Sequence, residues 1–162
     1  MTDVADLLAA AAQTDARTAG IPTEPRRRLA VVTCMDSRID VFGLFALDLG
    51  DAHVIRNAGG RVTEDVLRSL ALSSTLLGID SVVLMQHTRC GLEGVTDAEL
   101  RRRTGADLDF LPIHDHADAL AQDVSKLAAT PFLAARLRFV AGLLYDLDDE
   151  TVRELSHWDR PG

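Results

Sequence analysis

Leu29-Ala30-Val31-Val32 and Val82-Val83-Leu84-Met85 are short aliphatic runs bounded by polar residues, the pattern of strands buried in a sheet. Each leads straight into residues of unusual chemistry. The first delivers Thr33-Cys34-Met35-Asp36-Ser37-Arg38, the second His87-Thr88-Arg89-Cys90-Gly91. In an open parallel sheet, functional groups collect beyond the carboxyl ends of the strands. Two thiols and an imidazole then converge at one sheet edge. Cys34, His87 and Cys90 together make a three-ligand zinc site with a free fourth position, the arrangement of a catalytic rather than a structural zinc.

The remaining bounds agree with such a core. A chain of 162 residues fits a single domain, 1–162, and buries about two-thirds of its unfolded surface on folding. Apolar residues make up 47% but aromatic ones only 4%, so Leu, Val, Ile and Ala must fill the interior. The net charge of −8 argues against nucleic acid or an anionic membrane as partner. No apolar run approaches the length of a membrane span, and the first residues lack a signal-peptide pattern, so a cytoplasmic location is expected. With two cysteines and no Cys-x-x-Cys, metal binding is a better use of the thiols than a disulfide.

Residues 1–25 read as an N-terminal helix over 3–19 followed by a Pro-rich connector, and 26–162 as an α/β core. Asp40 is placed to cap a short helix over 41–45, and 52–56 reads as a second strand. Asn57-Ala58-Gly59-Gly60 follows, its paired glycines allowing close backbone approach and presenting N–H groups to an anion. Thr63 caps a helix with Glu64 and Asp65 in its first turn, which Gly78 stops. A strand, helix, strand connection this long demands a parallel crossover. Beyond Gly91 come a charged helix over 97–103, a connector at 111–116, a helix over 117–129 ended by Pro131, a last core strand over 138–146, and a short tail element. The fold class is α/β, a mainly parallel sheet of about four core strands plus an edge strand, flanked by helices.

Asp36 and Arg38 decide what the metal does. Two apart in an irregular segment, they can form a bidentate ion pair. Paired, Asp36 stays ionised beside the metal and accepts a proton or hydrogen bond from its water; unpaired, it is drawn to zinc as a fourth ligand and closes the site.

Cys34-Met35-Asp36-Ser37-Arg38, Arg56-Asn57-Ala58-Gly59-Gly60 and His87-Thr88-Arg89-Cys90-Gly91, in this order, resemble the β-class carbonic anhydrases. The resemblance runs from about Leu29 to Gly91 and returns at Val140 to Asp146. It implies a zinc enzyme that reversibly hydrates CO2 to bicarbonate and a proton through zinc-bound hydroxide. It further implies Cys34, His87 and Cys90 as ligands, Asp36–Arg38 as an orienting or gating dyad, and a homodimer or larger homo-oligomer with active sites at the subunit interface. Gly59 and Gly60 are candidates to meet substrate oxygen. His53, His114 and His116 are conceivable proton relays, none favoured. Hydrolysis of COS or CS2 on the same scaffold, or non-enzymatic zinc binding and redox sensing, are the alternative expectations.

Overall fold

The computed structural model describes residues 3–13 and 18–162. Five strands form one sheet in the order β2-β1-β3-β4-β5: β1 (Leu29–Cys34), β2 (Ala52–Asn57), β3 (Ser81–His87), β4 (Phe139–Tyr145) and β5 (Val152–Asp159). The first four are parallel, and β5 pairs antiparallel to β4 with a register shift between Gly142 and Leu143. The α/β architecture expected from the sequence is the one found. β1 lies between β2 and β3, and Thr33 pairs with Met85, so Cys34 and His87 leave neighbouring strands at the same edge.

One face of the sheet holds the deeper core. Ala30 and Val32 of β1, Val82 and Leu84 of β3 and Val140 of β4 pack against helices α3 (Glu64–Thr75) and α5 (His116–Ala129). Leu70, Leu120 and Leu127 from those helices are fully buried, each stabilising the fold by about 1.5–3 kcal/mol over an exposed position. Thr63 and Asp115 cap these helices by accepting from the N–H groups of Val66 and Asp118. The other face carries α2 (Val41–Leu44) and the segment beyond Cys90, with α4 (Asp97–Thr104) at the periphery; here Leu29, Val54, Val83 and Leu143 are only half-buried.

One expectation needs correction and two are extended. Helix α1 spans Val4–Ala12, and residues 18–20 are turn; the part of the expected 3–19 helix at 14–17 lies outside the described residues. Its Val4, Leu7 and Leu8 are all exposed. Pro131 ends α5 and also opens a further short helix, α6 (Pro131–Ala134), because proline at the first helical position has no N–H to waste. The tail element is a full eight-residue strand, β5. Among the described residues, no helix is long and apolar enough to cross a membrane.

Candidate metal centre

Cys34 is the last residue of β1 and His87 the last of β3, while Cys90 follows in a turn where Arg89 takes φ of 58°. One donor atom from each lies within 4.8 Å of the others, and all three residues are buried. The two sulfurs stand 3.9 Å apart with no disulfide between them. A tetrahedral zinc with bonds of about 2.3 Å to sulfur would separate them by about 3.8 Å. His87 is fully buried, and its Nδ1–H donates to the Thr88 carbonyl at 2.9 Å. That bond fixes the tautomer and turns the Nε2 lone pair inward, where it has no hydrogen-bond partner among the described residues. A buried, orphaned imidazole nitrogen facing two thiols is costly unless something electrophilic sits there. The donor set fits zinc.

The thiols are prepared for it. Cys90 hydrogen-bonds to the Cys34 sulfur and favours its ionisation; burial works against this, while His87 and the N–H groups of Asp36 and Gly59 add to it, and the net shift of Cys34 is downward. The same bond, with burial, pushes Cys90 up, so the pair gives up one proton easily and holds the second. Burial disfavours imidazolium at His87, but the neighbouring Cys34 thiolate outweighs it and the net direction is up.

Asp36 stands beside this set without joining it. Arg38 binds its carboxylate through Nε to Oδ1 at 2.9 Å and Nη2 to Oδ2 at 2.6 Å, and the Arg38 backbone N–H adds a third bond at 2.9 Å. These bonds hold the carboxyl well below the usual carboxylate range. Oδ2 is 3.8 Å from His87 Nε2. Arg38 also reaches the Arg89 carbonyl at 3.2 Å, tying the dyad to the second ligand loop.

Two supports were given no role by the sequence, although Arg56 belongs to one of the motifs that carry the family resemblance. Arg56, near the end of β2, donates to the carbonyls of Cys34, Asp36 and Ile39 and so holds the loop bearing the dyad. Arg61 forms a buried ion pair with Asp123 at 2.6 Å and donates to the Leu111 carbonyl at 2.8 Å, fastening the turn after β2 to α5 and to the connector. An arginine directly after the paired glycines is the one sequence trace of that anchor.

Gly59 and Gly60 form a 3-10 turn with Ala58, and both have positive φ. A cleft of about 190 Å³ opens on Cys34 and Cys90, bordered by Met35, Ala58, Gly59, Gly91 and Leu92. Gly60 lies behind it: a Cβ there would come within 2.8 Å of the Met85 carbonyl oxygen and 3.0 Å of Cys34 N. Of the three histidines considered as relays, His53 hydrogen-bonds to Ser73 on α3 and His114 is exposed. His116 bonds Gln86 at 2.8 Å, with Nε2 3.7 Å from Glu93.

The chain has relatives among known proteins. Residues 29–111 match the carbonic anhydrase sequence family. Beta-carbonic anhydrase 1 of Mycobacterium tuberculosis is 33% identical over 142 residues, covering 84% of this chain and 86% of that protein. A carbon disulfide hydrolase of Acidithiobacillus thiooxidans is 41% identical over 102 residues, covering 60% of this chain and 50% of that protein. Among solved structures, a carbonic anhydrase from Streptococcus mutans superimposes with a TM-score of 0.79 at 38% identity, covering 94% of this chain and 93% of that one.

Proposed function

This chain belongs to the β-carbonic anhydrase family, and on that premise we propose that it reversibly hydrates CO2 to bicarbonate at a zinc ion held by Cys34, His87 and Cys90. The observation that carries this reading is the doubly bonded Asp36–Arg38 pair standing next to, but outside, the donor set. Zinc bound there would acidify a water molecule towards about pH 7 and so provide hydroxide for attack on CO2. Asp36 is the acceptor that orients the attacking water and takes up its proton. Arg38 keeps that carboxylate anionic and away from the metal, while Arg56 holds the loop on which both sit. Met35, Ala58 and Leu92 give the cleft an apolar wall suited to an uncharged, linear substrate. Gly59 borders the space for substrate oxygen, and Gly60 serves that role indirectly by letting the turn lie against the ends of β1 and β3.

The working form is a homodimer or larger homo-oligomer. The exposed apolar residues of α1 and the half-buried strand face support this, since a second copy laid over them would also dry the cleft. The protein acts in the cytoplasm.

The likeness to carbon disulfide hydrolases supports a second reading, hydrolysis of CS2 or COS at the same centre. It covers less of the chain than the carbonic anhydrase match does, and CO2 is the substrate we favour. Stopped-flow CO2 hydration on zinc-quantified protein across pH, run beside sulfide release from CS2, separates the two. Rapid hydration that is lost together with zinc in Cys34→Ser supports the first. Sulfide release without CO2 hydration would overturn it in favour of the second.

A further inference from the structure

The sheet edge opposite the metal centre gathers positive charge on a chain whose net charge is −8. Arg28 precedes β1, Arg136 and Arg138 lie between α6 and β4, and Arg160 follows β5. All four border one cleft of about 330 Å³, with Asp80 as the only carboxylate in its wall among the described residues. The antiparallel return of β5 brings the last of them in, the Arg160 N–H donating to the Arg138 carbonyl at 3.0 Å.

We propose that this cleft is a binding site for a small multivalent oxyanion of the phosphate class, held by Arg28, Arg136, Arg138 and Arg160. Three of the four side chains are already positioned. Arg28 Nε donates to Asp80 Oδ2 at 2.9 Å. Ser81 Oγ donates to Asp80 Oδ1 at 2.8 Å and accepts from Arg138 Nη2 at 3.1 Å. Arg160 Nη1 donates to the Ala135 carbonyl at 3.0 Å. Each of these spends one guanidinium N–H and leaves the others for a ligand or water. Arg136 has no side-chain partner among the described residues. Capping of a helix end explains Arg160 alone, and Asp80 neutralises only one of the four charges. The planar forks match paired phosphate oxygens, and the surplus charge favours an anion carrying more than one negative charge. Because the arginines are exposed, binding weakens as salt rises.

The inference stands apart from the proposed activity, which occupies the other end of the same strands. The test is a titration of the zinc-loaded protein with inorganic phosphate and pyrophosphate, against sodium chloride at matched ionic strength. It is followed by two-dimensional NMR of backbone amides and arginine Nε–H groups. Saturable shifts are expected at Gly78, Ile79, Arg138 and Arg160, with pyrophosphate the tighter ligand. Arg136→Ser with Arg160→Ser should weaken it about tenfold or more while leaving CO2 hydration and the melting temperature near wild type. Should the double variant lose stability, Arg136→Ser alone replaces it, since the Arg136 side chain makes no hydrogen bond or ion pair among the described residues. Shifts confined to residues around Cys34 and Cys90, a response no different from chloride, or unchanged affinity in a stably folded variant would overturn the proposal.

Discussion

Asp36 is the residue on which the centre turns, because its carboxylate lies close to the metal donors while Arg38 claims both of its oxygens. Asp36→Asn keeps the shape and removes the proton acceptor. It should retain zinc and lose about a hundredfold or more in CO2 hydration, the scale of a lost general base. Arg38→Ala frees the carboxylate to close the site. That variant should stay zinc-loaded and inactive even at alkaline pH. Near-normal turnover, with a cobalt-substituted spectrum still showing a titrating water, would reduce Arg38 to a staple of the loop. The pair also sets a pH dependence whose sign is determined. The folded Asp36 is lowered below its unfolded value of about 4. Its contribution to stability is therefore present above that value and lost as pH falls through the folded one. Acid melts of zinc-free protein should show wild type losing more stability than Asp36→Asn below about pH 4. Parallel curves for the two would remove the pair from the stability of the fold.

At the scale of elements, the turn after β2 and its anchor place the ligand loop. Gly60 has φ of 64°, and a Cβ there would press on the backbone of both β1 and β3. Gly60→Ala should cost about 1–3 kcal/mol from backbone strain alone and lower zinc occupancy, read by denaturant unfolding and metal analysis. The Arg61–Asp123 pair gives a sharper contrast, because its side chains are both 5% exposed. Asp123→Ala strands a buried guanidinium and should cost about 3–5 kcal/mol. The Arg68–Asp65 pair, 79% and 71% exposed, should lose no more than about 1 kcal/mol in Asp65→Ala. Equal losses in the two variants would mean that burial does not decide the value of these pairs.

For the whole molecule, the asymmetry between the two sheet faces matters most. One is sealed by α3, α5 and α6; the other leaves Leu29, Val54, Val83 and Leu143 half-buried, and α1 buries nothing. The proposed oligomer would cover this half-buried face and the exposed Val4, Leu7 and Leu8 of α1. Sedimentation at assay concentration should show a dimer or larger species. Leu7→Asp with Leu8→Asp should shift it towards monomer and lower activity without unfolding the chain. An unchanged assembly in that variant would place the interface elsewhere than α1.

Much of this was legible in the chain because burial on both faces forces a continuous aliphatic run. Residues 29–32 and 82–85 could be little else than central strands, and Cys34 and His87 follow them directly. The caps at Asp40 and Thr63 were equally local, a side-chain oxygen meeting an N–H within three residues. β5 is legible only as an edge strand and a short tail element without bounds, because an exposed edge strand needs no apolar period, and α1 reads too long because helix propensity continues where nothing packs on it. The Arg61–Asp123 anchor, the clamp of Arg56 on three carbonyls and the convergence of Arg28, Arg138 and Arg160 join residues far apart in the chain. The sequence alone determined which residues form the four parallel strands and which carry metal-binding chemistry, since periodicity and residue type are local properties. Which charges meet, and at which end of the sheet, was decided only by the tertiary structure, because strand order and direction bring those side chains together.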